Sequence, residues 1–186
     1  MNISGVILAA GQGTRMKSPL PKVLHNVLGS PMINYAQEAI SDLKNKYVVV
    51  GHQYETVTLN LFDSFIPILQ EEQLGTGHAI SILIESGEYK NDENEYLVVI
   101  PGDVPLIKKE DLKKLIDDVV QEKAAIGIIT AFVDKPYGYG RIVKNNDEFE
   151  KIVEETDASE SEKQINEINS GIYCIEKKFL EKNIGS

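Results

Sequence analysis

Short runs rich in Val and Ile alternate with longer amphipathic stretches along most of this chain, and that alternation narrows the possible folds more than any other feature. The runs fall at residues 5–10, 47–50, 66–69, 96–100 and 125–133. They are mostly unalternated, which predicts strands covered on both faces. Between them, residues 31–45, 54–65, 77–88 and 109–122 read as helices. In the last of these, Leu112, Leu115, Ile116 and Val119 recur at helical spacing with charges between them. Pro31 suits a first helical turn. Strand and helix in alternation predict right-handed crossovers and an α/β fold with a mostly parallel, doubly wound sheet. Such a sheet binds ligands beyond the carboxyl ends of its strands. After residue 133 the pattern changes. Tyr137-Gly138-Tyr139-Gly140 reads as a turn, with short strands near residues 141–144 and 149–154. Residues 154–163 are acidic and helix-competent, expected as a solvated face, and residues 164–175 read as a further strand.

The length of 186 residues suits a single domain, and 42% hydrophobic residues is enough for a substantial core. A net charge of −10 argues against nonspecific nucleic-acid binding and against docking on anionic membranes. The lone Cys174 sits in an apolar run and reads as core, which fits a reducing, cytoplasmic setting. No run approaches the roughly 18 apolar residues of a membrane helix. His25, His52 and His78 show no metal-like spacing with Cys174 or with each other.

The first apolar run opens into Leu8-Ala9-Ala10-Gly11-Gln12-Gly13-Thr14-Arg15-Met16, followed by Leu20-Pro21-Lys22. Glycines let a backbone approach its ligand closely, and the N–H groups of such a loop form a concavity for phosphate oxygens. Arg15 and Lys22 beside them suit a polyphosphate, so the loop reads as nucleotide-binding. It is neither a dinucleotide fingerprint nor a kinase glycine-rich loop, because Met16 stands where the third glycine would be. Nor is it a G-x-x-x-x-G-K-[ST] loop, because Pro21 precedes Lys22. The Gly11 loop, Gln70 and Asp103 each follow a predicted strand and converge at one end of the sheet.

This string resembles the signature of the sugar-1-phosphate nucleotidyltransferases. The closer likeness is to the uridyltransferase domain of the bacterial bifunctional N-acetylglucosamine-1-phosphate uridyltransferase/glucosamine-1-phosphate acetyltransferases, carried by the sequence TRMKSPLPKVLH from Thr14 to His25. Gln70 with Gln73-Leu74-Gly75-Thr76-Gly77-His78-Ala79, and Gly102-Asp103-Val104-Pro105-Leu106, continue it. So do Tyr139-Gly140-Arg141-Ile142, Ile152-Val153-Glu154 and Glu167-Ile168-Asn169-Ser170-Gly171. The likeness implies a Rossmann-like, mostly parallel doubly wound sheet of the nucleotide-diphospho-sugar transferase type. It implies one nucleotidyltransferase domain over residues 1–186, cut short at its carboxyl end and lacking the acetyltransferase β-helix and its trimer contacts, hence a monomer.

The implied chemistry is transfer of UMP from UTP to N-acetylglucosamine 1-phosphate. It gives pyrophosphate and UDP-N-acetylglucosamine, a precursor of peptidoglycan and lipopolysaccharide. Arg15 and Lys22 would be the catalytic cations. Asp103 would hold Mg²⁺, a hard cation that prefers oxygen ligands, and Pro101 replaces the Tyr usual two residues before it. Leu8, Ala9, Ala10, Gly11, Gly13, Lys22, Gln70, Gln73, Gly75 and Thr76 would bind the nucleotide. A side-chain amide offers a donor and an acceptor, which suits the carbonyl and imide edge of uracil. Gln70 and Gln73 could equally be exposed loop residues, and His78 reads as structural. Gly102, Gly140, Glu154 and Asn169 would hold the amino sugar. Two rival readings are a transferase for another base or sugar phosphate and a nucleotide-binding module with little turnover.

Overall fold

A strand cannot satisfy its own backbone donors and acceptors, so the Val- and Ile-rich runs must pair laterally. In the computed structural model, which describes residues 2–13 and 16–184, they pair within two units. The larger is built from residues up to 127 and from 173 onward, the smaller from residues 128–172.

The larger unit begins with β1 (Ile3–Ala9), a short hairpin of β2 (Asn26–Val27) and β3 (Ser30–Pro31), and α1 (Met32–Ala39). It continues through β4 (Lys46–Val50), α2 (Tyr54–Thr58), β5 (Ile66–Leu69), α3 (Thr76–Glu85), α4 (Gly87–Lys90), β6 (Tyr96–Pro101) and α5 (Lys109–Glu122). Its parallel strands lie in the order β5-β4-β1-β6. β7 (Ile126–Phe132) carries the chain into the smaller unit, and β10 (Glu167–Glu176) returns it. Residues 173–176 of β10 pair antiparallel with β6, and α6 (Lys177–Asn183) follows. The sheet is therefore mostly parallel, with helices on both faces. Val6, Val49 and Val99 share a core cluster with Ala79, Ile80 and Leu83 of α3. Gly5, the neighbour of Val6, faces the opposite side: a Cβ there would meet the side chains of Leu43 and Ile40 at 2.8 and 2.9 Å.

β1, β4 and β6 are buried almost throughout, as unalternated strands predict. β5 is not, because it forms the open edge of the parallel set and only Ile68 is fully covered. The helix expected over 109–122 forms at those residues. The one expected over 54–65 stops at Thr58. Thr56, Val57 and Thr58 are β-branched and hold a helix poorly, and residues 59–65 close into turns instead. The helix expected over 77–88 breaks at Ser86, whose hydroxyl donates to the Leu83 carbonyl at 2.6 Å and accepts from the Tyr89 N–H at 3.2 Å. That hydroxyl ends one helix and caps the next.

In the smaller unit β8 (Arg141–Asn145) and β9 (Glu148–Val153) form a hairpin. Its two loop residues, Asn146 and Asp147, both take positive φ, the geometry that matches strand twist. The acidic stretch forms turns and a short 3-10 helix, Glu162–Gln164, rather than an α-helix. Nor is it wholly a solvated face. Glu155 pairs with Arg141 and Glu162 with Lys151, drawing both acids out of any helical register.

At the amino-terminal end of the parallel strands sits a buried carboxylate, Asp92. It accepts from Ser4 Oγ at 2.5 Å, Asn45 Nδ2 at 2.8 Å, Tyr47 Oη at 2.9 Å and the Asn94 N–H at 3.0 Å. Burial, then this carboxylate, pushes the Tyr47 hydroxyl well above its ordinary range. Asp92→Ala would strand four donors, and each buried donor left unpaired costs about 1–3 kcal/mol. We expect urea unfolding of that variant to show a loss of at least about 3 kcal/mol.

Candidate functional site

Three strands of the larger unit end at nearly one level, with Ala9 opposite Val50 and Leu8 opposite Pro101. Close backbone contact holds the following residues together. A Cβ on Gly51 would lie 2.9 Å from the Gln70 carbonyl oxygen and 3.1 Å from that of Ala10. A Cβ on Gly102 would lie 3.0 Å from Val23 and 3.3 Å from Ile7. The Gly102 N–H donates to the Leu8 carbonyl at 2.9 Å. The chain thus leaves β6 tight against β1, and Asp103 emerges at the mouth.

The glycine loop closes over this end. Gly13 has φ +62°, and a Cβ there would come within 2.6 Å of Lys22 Cβ. Both the conformation and the approach therefore require glycine. Pro21 precedes a 3-10 turn, Lys22–Leu24, that presents Lys22. Lys22 Nζ forms an ion pair with Asp103 Oδ2, both side chains partly open to solvent. The resulting cleft, about 330 Å³, is lined by Leu8, Ala9, Gly11, Gly13, Met16, Lys22, Val23 and Asp103. Met16 and Val23 join the lining without a sequence signal of their own, since apolar side chains carry no mark of a binding site. Arg15 lies outside the described residues.

The other nucleotide candidates divide. Ala10 is buried behind the cleft. Gln73, Gly75 and Thr76 lie on the exposed approach to α3, Gly75 at φ +101°. Gln70 is not an exposed loop residue: it is 2% exposed, and its Nε2 lies 2.8 Å from His78 Nδ1. Gly102 serves the packing just described.

In the smaller unit, Gly140, Glu154 and Asn169 come together. A Cβ on Gly140 would lie 2.9 Å from Glu154 Oε1, and the Asn169 N–H donates to the Gly140 carbonyl at 2.9 Å. Asn169 Oδ1 accepts from the Gly171 N–H at 2.9 Å. Behind them the buried Arg141 donates to the Tyr139 carbonyl and, at 2.6 Å, to Glu155. Glu155 also accepts from the Gly138 N–H at 3.0 Å. That N–H first, and Arg141 second, hold the Glu155 carboxyl below the usual carboxylate range. Cys174, by contrast, is buried core, its thiol pushed up to about 12 by burial.

A divalent cation fits the larger unit's cleft on one count. Asp103 is a hard oxygen donor at the cleft and its partner there is already a cation. Among the described residues no group of three or more His, Cys, Asp or Glu side chains could hold a metal, so waters and substrate oxygens would complete the shell. Nor, among the described residues, is any helix long and apolar enough to cross a membrane.

A glycine loop, with a Lys–Asp pair at the carboxyl end of a mostly parallel sheet, belongs to a nucleotidyltransferase fold. Residues 5–148 match the MobA-like NTP transferase domain, and the chain belongs to that family. Its sequence is 45% identical over 185 residues to the bifunctional protein GlmU of Clostridioides difficile strain 630, covering 98% of this chain and 39% of that protein. It is 46% identical over 178 residues to GlmU of Streptococcus equi subsp. zooepidemicus, covering 94% and 38%. The chain thus spans about two-fifths of the curated relatives it matches. Among solved structures, HddC from Yersinia pseudotuberculosis complexed with GMP-PN is similar at TM-score 0.72 and 28% identity, covering 96% of this chain and 78% of that one.

In the smaller unit Glu162 is held down to about 2, first by Lys151, then by the Ser159 hydroxyl and N–H. A depressed carboxyl stabilises the fold above its ordinary value of 4.5, and that contribution is lost as pH falls toward 2. An NMR titration should place the Glu162 midpoint far below 4.5. Lys151→Met should return it toward that value.

Proposed function

We propose that this chain transfers UMP from UTP to N-acetylglucosamine 1-phosphate, releasing pyrophosphate and forming UDP-N-acetylglucosamine. The observation that carries the reading is the glycine-loop cleft with Lys22 and Asp103 at its mouth, in a chain 45% identical to GlmU over 185 residues. A phosphate oxygen of the sugar attacks the α-phosphorus of UTP in line. The new P–O bond forms as the bond to the β-bridging oxygen breaks, and pyrophosphate leaves with that electron pair. The attacking phosphate is already an anion, so no general base and no covalent nucleophile are required. Alignment and charge neutralisation are the protein's main tasks.

Backbone N–H groups of the Gly11–Gly13 loop cradle the triphosphate, and Lys22 and Arg15 neutralise phosphate oxygens. Lys22 pairs with Asp103 in the structure, and its flexible stem lets the ammonium turn from that carboxylate to a phosphate oxygen. Mg²⁺ at Asp103 would supply charge neutralisation at the reacting phosphates. Gln70, Gln73, Gly75 and Thr76 read the base, and in the smaller unit Gly140, Glu154 and Asn169 hold the amino sugar. The cytoplasm, where nucleoside triphosphates are made, is the fitting compartment. The likeness to HddC complexed with GMP-PN gives a second reading, a transferase using a purine nucleotide.

Pyrophosphate release from UTP, CTP, GTP and ATP, each with N-acetylglucosamine 1-phosphate or glucose 1-phosphate, tests these readings. Activity should be highest with UTP and the amino sugar, and preference for GTP would overturn the first reading. Asp103→Asn should keep its fold by circular dichroism yet lose at least about a hundredfold in kcat, equivalent to roughly 2.7 kcal/mol. An active, folded Asp103→Asn protein would remove Asp103 from the mechanism.

A further inference from the structure

The contact between Gln70 and His78 has a chemical direction. An amide nitrogen can only donate, so at 2.8 Å Gln70 Nε2 donates and His78 Nδ1 accepts. The contact requires the neutral imidazole with its proton on Nε2, since a proton on Nδ1 would meet the amide oxygen instead and hold the amide turned over. Gln70 itself is held at its backbone, where its N–H donates to the Val50 carbonyl at 2.8 Å. The residue as a whole is 2% exposed, so its amide has little room to turn.

We propose that His78 is the positioning residue that sets which way Gln70 faces, and that it thereby selects uracil over cytosine. This rests on the reading that Gln70 meets the base. With its nitrogen tied to His78, the amide turns its carbonyl oxygen in a fixed direction and retains one N–H beside it. Uracil offers a donor at N3 next to a carbonyl acceptor, which complements that pair. Cytosine offers an acceptor at N3 next to an amino donor, the reverse pattern. An amide turned over about its last bond would read cytosine as well as the original reads uracil. Without the Nδ1 acceptor nothing in the contact distinguishes the two orientations. A site whose polar groups are fixed rejects the wrong partner more strongly than one whose groups can turn, because the mismatch cannot relax.

The family signature places His78 two residues after Thr76, at the start of α3 and half-buried. Replacement there creates no large cavity. His78→Phe keeps the ring and puts carbon where Nδ1 was, His78→Ala removes the ring, and His78→Asn can place an amide oxygen at the Nδ1 position.

Calorimetric titration of UTP and CTP at one Mg²⁺ concentration reads the effect, with thermal melts confirming that each variant is folded. The parent chain should favour UTP by at least about tenfold. His78→Phe and His78→Ala should each lower the UTP-to-CTP ratio at least about fivefold, partly by gaining CTP affinity, and His78→Asn should restore it to within about twofold. An unchanged ratio in a folded Phe or Ala variant, or equal loss of both nucleotides, overturns the positioning role. Gln70→Ala separates the two claims. If it binds UTP as tightly as the parent does, the base reading of Gln70 fails, whatever His78 does.

Discussion

Four donors converge on the Asp92 carboxylate, from Ser4 in β1, Asn45 and Tyr47 at the start of β4, and Asn94 just ahead of β6. β1 lies between β4 and β6, so one side chain ties the amino-terminal ends of three adjacent strands. In a parallel sheet the strands are joined by long crossovers that do not set register. A slip of one residue would turn every side chain to the other face. Pinning the strands at one end fixes where they finish at the other. The level ending of Ala9, Val50 and Pro101 is the far-side counterpart of the Asp92 cluster.

At that far end close packing takes over from hydrogen bonding. Gly51 brings a neighbouring backbone within a distance that no Cβ would permit, and Gly102 packs tightly against Val23 and Ile7. Gly13 likewise leaves no room for a Cβ between the glycine loop and the stem of Lys22. The smaller unit uses charge instead. Arg141 and Glu155 are each one residue from a candidate sugar contact, Gly140 and Glu154, and their pairing fixes the loop between Gly138 and Gly140.

What could be read beforehand follows the range of the forces involved. Local pattern sufficed where one interaction dominates, as in α5, whose apolar stripe of Leu112, Leu115, Ile116 and Val119 is buried as its spacing predicts. The glycine loop, Lys22 and Asp103 were legible because their chemistry is unusual together, and they do meet. The failures lie where a distant partner decides. Residues 154–163 look helical by composition, but Arg141 and Lys151 reach them from β8 and β9. Gln70 looks like a loop glutamine until Gly51 and His78 close around it. In the 54–65 stretch the deciding feature is local, the β-branched run Thr56-Val57-Thr58 at which the helix ends.

The ion pair between Lys22 and Asp103 also bears on how fast a substrate arrives. With that lysine's charge cancelled, the described lining of the resting cleft carries no unpaired cation, while the sequence as a whole carries a net charge of −10. A polyphosphate therefore approaches against a repulsive field rather than down a funnel. Dissolved salt weakens fields beyond roughly 10 Å at 0.1 M. Encounter with a free nucleotide should accordingly quicken as ionic strength rises, the reverse of electrostatic steering. Pairing the nucleotide with a divalent cation in solution would lessen the same barrier before contact is made.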